Sequence, residues 1–126
     1  MILDTNGLSD FLEGNPGIVN LLNDVTGIYL PVIVVGEYRF GLRGSRLKKE
    51  VEPQFEAFMN FCSILDVTET TTRSYAAIRH QLKKAGTPIP ENDIWIAALA
   101  KQHQLPVLSN DKHFDLVKTI ERIGWD

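Results

Sequence analysis

Pro106-Val107-Leu108-Ser109-Asn110-Asp111-Lys112-His113-Phe114 is the stretch on which the fold turns. Its apolar run has the length of a buried strand and ends at a polar Ser-Asn-Asp step. The same pattern occurs at the other end of the chain, where Met1 to Asp4 reads as a short strand passing into Thr5-Asn6. Two further strands are expected at Ile28 to Leu30 and Ile64 to Val67, and Thr119 to Ile123 forms a short fifth. The segments between them have helical spacing. Gly7 to Leu12 is a helical turn, and Asn15-Pro16 opens a helix carrying Ile18, Val19, Leu21 and Leu22 on one side. Val32, Val35, Tyr38 and Leu42 make an apolar stripe, residues 47 to 61 repeat Leu47, Val51, Phe55, Phe58 and Met59, and Thr68-Glu69 starts a helix through Tyr75, Ile78 and Leu82. Strands separated by helices argue for an α/β fold, a parallel sheet with helices on both faces.

Four acids stand at the ends of these elements: Asp4, Glu37, Asp93 and Asp111. Gly86-Thr87-Pro88-Ile89-Pro90 is a loop, since each proline disfavours helix in the residue before it. The loop delivers Asn92 as an N-cap and Asp93 into a first helical turn, where the helix dipole favours a carboxylate. In an open parallel sheet, strand ends and adjacent helix starts converge on one rim, so acids more than a hundred residues apart can meet. Buried carboxylates repel one another unless a cation neutralises them, and hard divalent ions such as Mg²⁺ take oxygen ligands. A single acid among the 16 present is usually a solvated charge; the joint pattern points to a metal site.

Composition bounds the remaining choices. At 126 residues and 44% hydrophobic content the chain is expected to form one domain, residues 1–126, with a core of ordinary size. A net charge of -3 provides no global attraction to nucleic acid or to an anionic membrane, so any nucleic-acid contact must be local. The lone Cys62 sits in an apolar run and is expected to be an inert thiol. No stretch has signal-peptide or membrane-span character, and the expected location is cytoplasmic, with no membrane partner.

With those residues in view, LDTN at 3–6, Glu37 followed by Gly41, NDIWIAA at 92–98 and SNDKHF at 109–114 resemble the PIN domain, and more narrowly the VapC group of toxin ribonucleases. The resemblance covers essentially the whole chain. It implies a doubly wound, mostly parallel sheet of four or five strands and a Mg²⁺- or Mn²⁺-dependent endoribonuclease acting on RNA. It also implies a cognate antitoxin protein as inhibitor and a homodimer. Carried over position by position, the catalytic acids are Asp4, Glu37, Asp93 and Asp111, with Asp4, Asp93 and Asp111 holding metal. Asn6 and Ser109 are the polar supports, Ser109 standing where the family more often has Thr, and Asp115 is an extra outer acid. Gly36, before Glu37, departs from the usual pattern and leaves the start of that helix open.

Arg39, Arg43 and Arg46, with Lys48 and Lys49, form the densest basic stretch and are candidates for RNA contact; a solvated helix face explains them equally well. His80, His103 and His113 lack zinc-site spacing, and of the three only His113 stands beside an acid. Trp95 and Trp125, with Phe55, Phe58 and Phe61, read as packing. Two alternatives stay open: an idle PIN-like module that binds RNA or protein without cutting, and another doubly wound Asp enzyme such as a phosphotransfer receiver or a haloacid-dehalogenase-type phosphatase. The last would want Asp two positions after Asp4, where Asn6 stands.

Overall fold

Ile2 and Leu3 are both fully buried. Successive strand residues face opposite sides of a sheet, so burial of both means cover on both faces, as parallel α/β sheets require. The computed structural model describes residues 1–125. Within them the elements run β1 (Ile2–Leu3), α1 (Thr5–Leu12), α2 (Pro16–Asn23), β2 (Tyr29–Pro31), α3 (Val32–Arg43), α4 (Lys48–Met59), β3 (Ser63–Leu65), α5 (Glu69–Ala85), α6 (Glu91–His103), β4 (Val107–Leu108), a 3₁₀ turn at Lys112–Leu116, and β5 (Arg122–Ile123). The sheet order is β3-β2-β1-β4-β5, and every pairing is parallel.

The order reverses at β1. The chain first moves outward through β2 to β3, then crosses back to β4 and β5. With right-handed crossovers, that reversal puts α1 to α4 on one face and α5 and α6 on the other. The crevice between the C-terminal ends of β1 and β4 is therefore the switch point, and the acids after both strands fall there.

Several boundaries differ from the sequence expectation. The first helix is eight residues long and starts at Thr5. The helix carrying Glu37 starts at Val32, which leaves Gly36 inside it. The third strand ends at Leu65, with Asp66 and Val67 exposed. Asn92 is not an N-cap: Pro90 holds that position with φ -54° and ψ 144°, and its carbonyl accepts the amides of Asp93 and Ile94 at 3.0 and 3.2 Å. Proline's fixed φ stops the loop two residues earlier than the Asn signal suggests. Phe61, expected to pack, is 82% exposed just beyond α4, whereas Phe55 is fully buried. Trp125 is buried and its indole N–H donates to Asp10 at 3.2 Å, while Trp95 stacks on Tyr75. Burial pushes the Cys62 thiol up to about 11, in keeping with an unreactive group.

On the far face α5 and α6 pack as a pair. A Thr68–Thr71 capping box starts α5, and buried Thr71 also donates to Gln102 of α6 at 2.6 Å. Gly86, at φ +70°, ends α5 in the left-handed conformation that glycine adopts without penalty. Ala97, Ala98 and Ala100 are buried in α6, which packs against α5 and meets α3 and the 3₁₀ turn, and its first turn carries Asp93.

Candidate active site

Asp4 follows β1 and caps α1. Its Oδ1 accepts the Gly7 amide at 2.7 Å, and its Oδ2 accepts the Ser109 hydroxyl at 2.5 Å. The carboxylate is only 4% exposed, and Ser109 is fully buried. Burial, helped by the nearby charges of Asp93 and Asp111, raises the Asp4 carboxyl to about 6, against the pull of its two hydrogen bonds. Gly7 suits this packing: a Cβ there would lie tight against it, 3.0 Å from Asp4 Oδ1 and 3.1 Å from the Leu108 carbonyl oxygen. The Ser109 hydroxyl does a second job by accepting the Asp111 amide at 2.9 Å. One side chain at the end of β4 thus sets the position of two acids.

Asp111 caps the 3₁₀ turn, accepting the His113 amide at 2.9 Å. The His113 Nδ1 lies 3.1 Å from Asp111 Oδ1 and 3.5 Å from Asp93 Oδ2. Ligand atoms of Asp93, Asp111 and His113 all fall within 4.8 Å of one another. Asp93 is half-buried in the first turn of α6; burial raises its pKa, the charges of Asp111 and Glu37 add to the rise, and His113 opposes it. Glu37 reaches in from α3, and its Oε1 accepts the Thr5 hydroxyl at 2.8 Å.

Together the four acids line a cleft of about 440 Å³ with Thr5, Asn6, Pro90, Glu91 and Asn92. The donor set fits a hard divalent cation: carboxylate oxygens dominate it, two of the carboxyls are pushed toward their neutral forms, and a cation would relieve both the desolvation and the repulsion. His113 adds one nitrogen at the exposed rim, without the second nitrogen or sulfur partner of a typical zinc centre.

The other expected residues divide. Asn6 lines the cleft and is exposed. Asp115 does not line it: its carboxylate is bound by Arg122, with Nε–Oδ1 at 2.7 Å and Nη2–Oδ2 at 3.0 Å. Arg39 is also outside, paired with Glu56 at 2.7 Å over the Phe55 ring, and Arg43 and Arg46 are exposed away from the cleft lining. Thr5, Gly7 and Glu91 were not singled out by the sequence. Gly7 had a signal in the tight Asp-Thr-Asn-Gly step, and Glu91 in its place two residues before Asp93; Thr5 had none beyond its neighbour.

The sequence profile of the PIN domain matches residues 1–120. Toxin FitB of Neisseria gonorrhoeae is 34% identical over an alignment covering 88% of this chain and 87% of that protein. Ribonuclease VapC2 of Rickettsia felis is 26% identical, covering 99% of this chain and 97% of that one. A solved structure of VapBC2 from Rickettsia felis, bound to a DNA fragment from its promoter, superposes with a TM-score of 0.89 at 25% identity, over 99% of this chain and 98% of that chain. Sequence profile, relatives and superposed fold all span nearly the full length and agree with one another: the chain belongs to the PIN domain family.

Proposed function

We propose that this single domain is an endoribonuclease toxin that hydrolyses RNA phosphodiesters in the acidic cleft with Mg²⁺ or Mn²⁺, and that a cognate antitoxin holds it in check. The observation that carries the reading is the convergence of Asp4, Glu37, Asp93 and Asp111, from four separate elements, on one cleft at the switch point of the sheet. Its likeness to a VapC ribonuclease and to a named toxin supports the substrate class and the inhibitory partner. A homodimer is part of the same reading.

Asp4, Asp93 and Asp111 would hold the cation. When bound, such an ion supplies Lewis-acid polarisation of the phosphoryl group and a water acidic enough to attack near neutral pH. The chain's own residues do the rest. Gly7 and Ser109 each donate to one oxygen of Asp4, which fixes the carboxylate where it lines the cleft. Asp111 is fixed through its own amide on Ser109, and His113 steadies the acid pair from the rim. Glu37 gives Oε1 to Thr5 and keeps Oε2 free to orient a water or take its proton. Four carboxylates repel a phosphate backbone, so RNA binding depends on the cation reversing the local field.

The test is cleavage of RNA by the purified chain with Mg²⁺ or Mn²⁺, with EDTA, and with Asp93→Asn prepared identically. We expect cleavage that EDTA and the substitution both abolish, with ends that can be sequenced to define the target. Equal cleavage by Asp93→Asn, or RNA binding without cutting by the native chain, overturns the reading; the second result is that of the idle module.

Among the described residues no helix is long and apolar enough to cross a membrane.

A further inference from the structure

Thr5 is the first residue of α1, immediately after the Asp4 cap. A hydroxyl at that position has no helical carbonyl one turn earlier to bond, so it is free for a distant partner. Here it donates to Glu37 Oε1 at 2.8 Å, across a sequence separation of 32 residues. Among the described residues this is the only hydrogen bond that the Glu37 side chain makes, and it has no ion pair. The contrast with Asp4 and Asp111 is plain, since backbone amides from their own turns hold those two. Glu37 has the longest and most freely rotating side chain of the four acids, and a single side-chain hydrogen bond to hold it.

Location adds a second observation. Thr5 and Glu37 line the acidic cleft, and both also line a neighbouring groove of about 300 Å³ whose walls include Leu12, Tyr38, Leu42 and Val51. The pair is the partition between the two spaces. Without the hydroxyl, the Glu37 carboxylate has the groove side open to it as well as the cleft. With the bond made, Glu37 lines the cleft beside Asp93 and Asp111.

We propose that Thr5 is a positioning residue for the cleft: its hydroxyl holds the Glu37 carboxylate on the catalytic side of that partition. This rests on the nuclease reading above, and the role is that of a group acting through Glu37 rather than on substrate. Loss of an outer partner of a metal-site carboxylate costs roughly 10- to 100-fold in activity or metal affinity.

The experiment compares Thr5→Val, which keeps the shape and loses the hydroxyl, with Thr5→Ser, which keeps the hydroxyl. Each is also made in a Glu37→Gln background. Cleavage of a fluorophore–quencher RNA of random sequence gives kcat and KM, and Mn²⁺ binding followed by electron paramagnetic resonance gives a readout independent of turnover. Expected are a fall in kcat of roughly 10- to 100-fold for Thr5→Val with KM for RNA little changed, altered Mn²⁺ binding, near-native behaviour of Thr5→Ser, and no further loss from Thr5→Val once Glu37 is Gln. The proposal is overturned if Thr5→Val cuts and binds Mn²⁺ like the native chain, if Thr5→Ser is as impaired as Thr5→Val, or if the two losses simply multiply. A native chain that does not cut overturns the nuclease reading instead, and the Mn²⁺ comparison then still decides whether Thr5 positions Glu37.

Discussion

The switch-point crevice and the basic α3–α4 surface both look charge-rich in the sequence, yet they are built by opposite rules. In the crevice, Asp4 is 4% exposed and each of its oxygens has a donor. On the α3–α4 surface the side chains of Arg39 and Glu56 are 47% and 50% exposed, and Arg43 and Arg46 stand in solvent. A charge buried at a junction of elements must be held by its neighbours and pays for any loss of them; a charge in water needs nothing and contributes little. The difference teaches that chemistry should be sought where carboxylates are costly, not where charge is dense.

The sharpest break would come from Asp93→Asn. Losing one of the proposed metal ligands removes several kcal/mol of transition-state stabilisation, so cleavage with excess Mg²⁺ should fall by about 10³-fold while the fold persists. Initial rates, with circular dichroism to check folding, decide it.

Next in size is the response of metal-free stability to pH. Asp4 titrates near 6 in the folded protein and near 3.8 in an unfolded chain. Between those values the folded state holds a proton that the unfolded state has released. Stability from this group is therefore full below about pH 4 and is lost as pH rises through about 6, a swing on the order of 3 kcal/mol. Urea unfolding in EDTA across that range should show the decline, and Asp4→Asn should flatten it. Added Mg²⁺ should restore stability at the upper end. A native profile that coincides with the Asp4→Asn profile would remove the strain from the crevice and erase the comparison.

Smaller again is Gly7→Ala. Its Cβ would press on Asp4 Oδ1 and on the Leu108 backbone, neither of which can retreat far, so the expected destabilisation is about 1–3 kcal/mol by urea unfolding. Smallest is Arg39→Ala on the exposed surface, which should change stability by no more than about 1 kcal/mol despite its short ion pair with Glu56. A larger loss there would mean that the Arg39 guanidinium over the Phe55 ring matters more than its exposure suggests.

These contrasts also show what the sequence discloses. Asp4 and Asp111 announce themselves because each follows an apolar run, Glu37 because it interrupts one, and Asp93 because it stands between a proline loop and an apolar run; all of these signals are local. The strands could be placed for the same reason, although their ends drifted: Val67 continues an apolar pattern that the sheet does not use. Asn92 carries a stronger capping signal than Pro90, yet the fixed geometry of proline prevailed. Thr5 was invisible as a partner because nothing near it refers to Glu37. Arg122 shows the same limit from the other side, since it claims Asp115 and leaves that acid outside the cleft. Hydrogen bonds across 32 or 105 residues leave no mark on either neighbourhood.

The Ser109–Asp4 bond, which joins residues 105 apart, also sets a clock. A ribosome adds about 5–20 residues each second, so roughly 5–20 s separate the emergence of these two partners. Over that interval β1 can pair with β2, but its other edge stands open until β4 arrives, and the acids that follow β4 are not yet made. On the proposed function, the chain is thus synthesised on RNA with its cleft unassembled, and the earliest moment at which it could cut is fixed by the order of its strands.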